Sequence, residues 1–292
     1  MSDAEAVRQS IDLLQQHLRW RKEEGGRRVE VDTAVLARLG GASKPAAPAP
    51  APRSATPAPR AAPMPPARPA APPAVAAAAP RPPAPAGSPA AALQAIADRI
   101  AACRKCGLCD DRTRTVPGQG HAQPDILFIG EGPGRDEDQQ GLAFVGRAGQ
   151  LLTRIVVAMG LTRDDVFIAN IVKCRPTADG KGEKDRPPTR AEMDACLPYL
   201  HEQIEVLKPK VIVALGGSAV KGLFGDELTG ITRLRGKWLS YRGTDVMPTF
   251  HPSYLLRQGG EDKAAFWDVW SDMVLVLQKL GKPVPERQRR SG

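Results

Sequence analysis

The chain lacks any run of about 18 apolar residues, so no membrane-spanning helix is expected. Its N-terminus, Met1-Ser-Asp-Ala-Glu5, has no basic segment leading into an apolar one, so no secretory leader is expected and a soluble, cytoplasmic protein follows. No Gly-Lys-Ser/Thr follows its glycine-rich turn and the G-x-G-x-x-G spacing fails, which excludes a phosphate loop and a dinucleotide fingerprint. Between residues 41 and 88 there is no acidic and no aromatic residue. That window is almost entirely Ala and Pro, and it holds too little apolar bulk to offset the entropy of ordering it. A semi-extended, polyproline-like spacer is expected there.

Of the 29 prolines in 292 residues, 17 fall from Pro45 to Pro89. Their density separates a short N-terminal piece, 1–40, from a body at 89–283 large enough for one domain with a substantial core, followed by a tail at 284–292. In residues 4–21, Val7, Ile11, Leu14 and Leu18 form one apolar helical stripe, which would dock on a protein partner, pack on the chain's own body or pair weakly with itself. The net charge is +9, to which Lys44, Arg53, Arg60, Arg68 and Arg81 of the linker contribute +5; Arg287, Arg289 and Arg290 cluster in the tail. Such a balance permits a nucleic-acid partner without demonstrating one.

The body alternates strand-like and helix-like stretches. Helices are expected at 90–102, 148–159, 190–206, from Ser218 and at 264–280. Strands are expected at 125–130, 166–172 and 210–215, with a fourth and a neighbour at 238–241 and 246–250. The pattern argues for a three-layer α/β/α domain on a central, mostly parallel, four-stranded sheet. Ligands of such folds bind at the carboxyl ends of the strands, so the segments after the strands carry the chemistry.

After the first strand comes Gly130-Glu-Gly-Pro-Gly134, where glycines let backbone approach a flat or anionic ligand. Asp136, Glu137 and Asp138 follow, then Phe144 in a glycine-rich loop, a candidate stacking platform for a base. After the second strand, Asn170 offers an acceptor and a donor suited to a pyrimidine edge, or caps a turn. After the last strand, His251 could hydrogen-bond a developing anion, and Leu256 and Arg257 beyond it suit a nucleic-acid groove. Five cysteines in a cytoplasmic chain read as metal ligands or thiols rather than disulfides. On ligand count alone, an iron–sulfur cluster and a structural zinc are equal.

Taken in order, Gly130-Glu-Gly-Pro-Gly, Glu137-Asp138, Phe144-Val-Gly-x-Ala-Gly-Gln-Leu-Leu152, Asn170-Ile-Val-Lys-Cys-Arg-Pro176 and His251-Pro-x-Tyr-Leu-Leu-Arg257 resemble the iron–sulfur, family 4 type of uracil-DNA glycosylase. The resemblance covers about 92–280. It implies a DNA repair hydrolase that flips uracil out of single- or double-stranded DNA and cleaves its N-glycosidic bond, leaving an abasic site. It implies a [4Fe-4S] cluster on Cys103, Cys106, Cys174 and Cys196, with Cys109 a free thiol. It places Glu131, Gly132 and Gly134 in the uracil pocket with Phe144, Asn170 and His251. His251 would stabilise charge on the leaving uracil and Asn170 would reject cytosine; with Gly132 or Pro133 where better-known uracil glycosylases have an Asp, Glu137 is the nearest candidate to position water or offset the sugar cation, or it is structural. Leu256 and Arg257 would contact DNA, Arg235 and Lys237 either contact phosphate or form a salt-bridged surface strand end, and Lys181, Lys184 and Arg186 either touch phosphate or lie in a solvated loop. Some relatives trap DNA through a His in an Arg-Arg-Ile-His insert; residues 177–188 contain no His, so that reaction is not expected. A monomer associated with the nucleoid through DNA is expected. The rival reading is a non-catalytic iron–sulfur or zinc DNA-binding module on a partner-docking helix.

Overall fold

A computed structural model describes residues 85, 87–178, 184–228, 230–259 and 264–286. The helix expected at 4–21, nearly all of the 41–88 spacer, Lys181 and the tail arginines lie outside the described residues.

The domain begins with helix α1 (Pro89–Ala101), where Ser88 accepts from the Ala91 N–H and Pro89 occupies the first turn, a position at which its missing N–H costs nothing. A single turn, α2 (Leu108–Asp111), follows the first cysteines. Six strands then form one sheet: β1 (Gln119–Gly120), β2 (Ile126–Gly130), β3 (Phe167–Asn170), β4 (Val211–Leu215), β5 (Leu239–Tyr241) and β6 (Thr244–Thr249), in the order β1-β3-β2-β4-β6-β5. The four inner strands are parallel, and β1 and β5 add antiparallel edges. The expected four-stranded parallel sheet is therefore the centre of a six-stranded one. The edge β1 has two residues and no apolar alternation to announce it.

Period-2 alternation sorts the strand side chains between two layers. Ile126 and Phe128 of β2, Ile168 of β3 and Val213 of β4 face α4 (Arg147–Ala158) and α9 (Ala264–Lys279), packing with Leu151, Leu152, Phe266 and Met273. Leu127, Ile129, Ala169 and Ile212 face the opposite layer, where α1 and α5 (Arg190–Leu207) bring Ile96, Ile100, Leu200 and Ile204. Both faces of β2 and β4 are covered, which is why Ile-Leu-Phe-Ile and Val-Ile-Val-Ala-Leu read as unbroken apolar runs. Thr189 and Glu192 close a reciprocal cap at the start of α5. Three short helices complete the body: α3 (Arg135–Gln140) after β2, α7 (Ile231–Leu234) before β5 and α8 (Pro252–Arg257) after β6. Helix α6 (Gly217–Phe224) follows β4. No described helix is long and apolar enough to cross a membrane.

Candidate active site

All four parallel strands deliver residues to one cavity of about 480 Å³ at their carboxyl ends. Glu131 to Gly134 follow β2, Asn170 ends β3, Leu215 to Ser218 follow β4, and Phe250 and His251 follow β6. The chain leaves β2 for β3 on one side and reaches β4 on the other, so the cavity sits at a topological switch point.

Asn170 is 1% exposed, and its Oδ1 has no hydrogen-bond partner. Buried acceptors are almost always paired, so an orphan aimed into a cavity marks a place for a donor. Gly130 makes room for it: a Cβ there would lie 2.4 Å from Asn170 Oδ1 and 2.5 Å from Phe144 Cζ.

Phe144 sits at φ 52°, a left-handed conformation unfavourable for a residue with a Cβ. Such a backbone costs about 1–3 kcal/mol and persists only where its surroundings hold it. Gly149 makes the space, since a Cβ there would fall 1.9 Å from the Phe144 carbonyl carbon. Hydrogen bonds fix the loop on both sides. Glu137 Oε1 accepts from the N–H groups of Val145 and Gly146, each at 2.8 Å, and its Oε2 accepts from Gly134 N–H at 3.1 Å. Arg163 donates to the carbonyls of Ala143 at 2.7 Å and Phe144 at 3.0 Å. The Phe144 ring is thereby set 5.7 Å from the His251 ring, tilted by 39°.

His251 caps α8, its Nδ1 accepting from Ser253 N–H at 3.1 Å and lying 2.8 Å from Ser253 Oγ. An accepting Nδ1 requires the proton on Nε2, so the imidazole is a neutral donor. Burial, with the nearby positive charge of Arg257 adding to it, pulls its pKa down to about 4. Glu131 also lines the cavity; burial raises its pKa, and a hydrogen bond with Ser218 opposes the rise.

The cavity thus gathers Glu131, Gly132, Gly134, Glu137, Phe144, Asn170, His251 and Arg257. The carboxylates after the glycines do not act together. Glu137 ties down the Phe144 loop, and buried Asp138 accepts from Thr113 and Arg114 N–H. With both Glu137 oxygens engaged by backbone, the geometry does not favour the water-positioning role expected of it. Of the two roles open to it, Arg235 takes the salt-bridged one. It bonds Asp272 at 2.9 and 3.1 Å and the Asp268 carbonyl, and lies 5.5 Å over the Phe250 ring. Lys237 is exposed, and Leu256 is half-buried against the α4–α9 core. Arg186 pairs with Glu192. The glycine pair Gly216-Gly217 with Ser218 lines the cavity although no role was expected of it; the rule of strand carboxyl ends, applied to β4, identifies it.

A second, much smaller cavity, of about 10 Å³, is lined by Cys103, Cys106, Cys109, Cys174 and Cys196 together. Cys103, Cys106 and Cys109 come from the turns after α1, Cys174 from the segment after β3 and Cys196 from α5. Lys173 N–H donates to Cys196 Sγ and Arg112 Nη1 to Cys174 Sγ, each at 3.3 Å. Burial pushes the Cys174 thiol up to about 11 and raises Cys106 and Cys196, so bound cations would be needed to keep them as thiolates. Among the described residues no group of three or more Cys, His, Asp or Glu is arranged around a single metal ion; the thiols instead ring a shared space. The fully buried Lys173 joins the two cavities, its Nζ donating to the Asn170 carbonyl at 2.9 Å and to Gln203 Oε1 at 2.8 Å. Burial draws its pKa down to about 8.

The domain is thus a three-layer α/β/α fold with one cavity at its switch point and a small thiol-lined cavity beside Lys173. The chain matches the model of the uracil DNA glycosylase superfamily over residues 117–274. It is 45% identical over 168 residues to the type-4 uracil-DNA glycosylase of Thermotoga maritima, covering 56% of this chain and 83% of that protein. It is 42% identical over 173 residues to the type-4 uracil-DNA glycosylase of Sulfurisphaera tokodaii (56% and 76%). The type-5 uracil-DNA glycosylase of Pyrobaculum aerophilum is more distant, at 29% over 160 residues. The chain belongs to the uracil-DNA glycosylase superfamily.

Proposed function

We propose that this chain excises uracil from DNA in base excision repair, releasing the free base and leaving an abasic site. One observation carries the reading most: the orphan Oδ1 of Asn170 shares a cavity with a stacking ring, Phe144, and a neutral imidazole donor, His251. A base stacked in duplex must leave the helix before such a cavity can take it. Uracil presents an N3–H donor between two carbonyl acceptors. The Asn170 Oδ1 would accept that N–H while its amide donates to O4. Cytosine reverses both groups, and a site left with unpaired buried polar groups rejects the wrong base by several powers of ten.

Cleavage leaves an anion on the departing base and a cation-like sugar. His251 would donate from Nε2 to the carbonyl where charge grows, a preorganised stabilisation with no proton transfer required. Its neutrality is useful, because a protonated ring would need a second acceptor at Nδ1, where Ser253 N–H already points. We assign Glu131, Gly132 and Gly134 to the walls of the pocket, and Arg257, at its mouth, to DNA contact together with Lys237 and Leu256. Glu137 shapes the pocket by holding the Phe144 loop.

The donor set of the second cavity fits an iron–sulfur group. Cys103, Cys106, Cys174 and Cys196 would hold a [4Fe-4S] cluster, which would cross-link segments far apart in sequence. The glycosylase unit corresponds to the body at 89–283, a monomer of the cytoplasm acting on DNA there.

Single-turnover assays on single- and double-stranded DNA carrying one uracil or the matched cytosine test the function. Release of uracil and not cytosine is expected. Binding to uracil-DNA without base release would support the rival reading as a non-catalytic DNA-binding module.

A further inference from the structure

Arg163 has no place in the motifs or in the chemistry, yet its guanidinium is turned inward from the loop between α4 and β3. Its Nη2 donates to the Ala143 carbonyl at 2.7 Å, and its Nη1 to the Phe144 carbonyl and to Thr153 Oγ1, each at 3.0 Å. Thr153 passes the network on, its hydroxyl donating to the Gly149 carbonyl at 3.0 Å. The two carbonyls flank the point where the chain enters its left-handed turn at Phe144, φ 52°. Gly149, whose carbonyl closes the network, is the residue whose missing Cβ leaves space for that turn.

We propose that Arg163 is a positioning residue for base excision: it holds Phe144 in its left-handed conformation and so sets the ring on which the flipped base stacks. It touches no substrate. A planar fork with donors at fixed angles can span two successive carbonyls, and a lysine, with one nitrogen at the end of a flexible stem, cannot reproduce that geometry. The carboxylate of Glu137 engages the next two N–H groups of the same loop, so donors and an acceptor hold the turn from opposite sides. The role rests on the uracil-excision reading above.

The test is a double-mutant cycle of Arg163→Met and Phe144→Ala in the full chain, read by single-turnover uracil release, by KM and kcat separately, and by thermal midpoint. Arg163→Met should lower the single-turnover rate by roughly tenfold to a hundredfold, as small misplacements at reacting centres do. In the Phe144→Ala background it should lower the rate no further, because the ring it positions is gone. Arg163→Lys serves if the Met variant does not fold; it should lose most of the same rate while keeping the charge, and added guanidinium should restore part of the rate to Arg163→Ala. A wild-type rate in Arg163→Met or Arg163→Lys, or an undiminished further loss on top of Phe144→Ala, would overturn the positioning role alone. A wild-type chain that releases no uracil would overturn the excision reading and the role resting on it.

Discussion

The rings of Phe144 and His251 lie in contact at 5.7 Å, tilted by 39°, on the wall of the cavity, Phe144 at a left-handed backbone position and His251 accepting a hydrogen bond at Nδ1. Neither side chain is free to choose another orientation cheaply. A planar base stacked on the Phe144 ring would have the neighbouring His251 imidazole at one of its edges. Such preorganisation lets a donor act on developing charge without rearranging during the reaction.

For His251 this gives a rate and a pH prediction. His251→Ala should lower single-turnover uracil release by about 10²–10³, the usual loss on removing one such donor. With its pKa near 4, below the ordinary 6.5, the imidazole stays neutral at physiological pH, so this group should leave the rate flat down to about pH 5. The linked stability has a definite sign. As pH falls, the unfolded chain takes up the proton first, so the contribution of the buried neutral ring is complete above about 6.5 and lost toward 4. Thermal midpoints of wild type and His251→Asn, measured from pH 8 to 4.5, should converge as pH falls. Parallel curves would show that His251 titrates normally.

Gly130→Ala tests the packing of the pocket. The new Cβ would collide with Asn170 Oδ1 and the Phe144 ring. Both side chains must shift, which should reduce activity by about a hundredfold while overpacking costs about 1–3 kcal/mol of stability. Folded protein with near-normal uracil release would mean that Asn170 and Phe144 are not fixed by this contact.

Much of this was legible in the chain. The runs at β2, β3 and β4 identify strands buried on both faces, and the rule that function follows their carboxyl ends finds Glu131, Asn170 and, if applied to β4, Gly216. What stayed hidden depends on contacts between distant segments. Glu137 looks like a free carboxylate because the loop that folds back onto it begins several residues later. Arg235 sits in a basic run that reads either as a phosphate ligand or as a salt-bridged strand end, and the partner that decides it, Asp272, lies 37 positions away in α9. Local charge patterns do not encode such pairs. The edge β1 exists only because β3 offers it an unpaired backbone.

Glu137→Gln separates a loop anchor from a catalytic base. A glutamine offers one oxygen and an NH₂ where three backbone N–H groups need acceptors, so at least one donor loses its partner, at about 1–3 kcal/mol. The thermal midpoint should fall by several degrees, and the rate should fall modestly, about tenfold. Loss of several powers of ten at an unchanged midpoint would instead assign Glu137 to the attacking water.

The cysteine cavity poses a choice among five thiols for four expected ligands. Cys174 and Cys196 are the most buried and come from separate segments, so the remaining pair is drawn from Cys103, Cys106 and Cys109. The family resemblance takes Cys103 and Cys106 as that pair, and Cys109 Sγ donates to the exposed Asp110 carboxylate at 3.4 Å. Serine at 103, 106, 174 or 196 should therefore abolish the visible absorbance of an iron–sulfur protein purified without oxygen and lower its iron and sulfide content. The thermal midpoint should drop with it, because a group that ties distant segments together contributes folding energy. Cys109→Ser should keep the colour and the midpoint. If Cys109→Ser loses the colour while Cys103→Ser keeps it, the pair is Cys106 with Cys109.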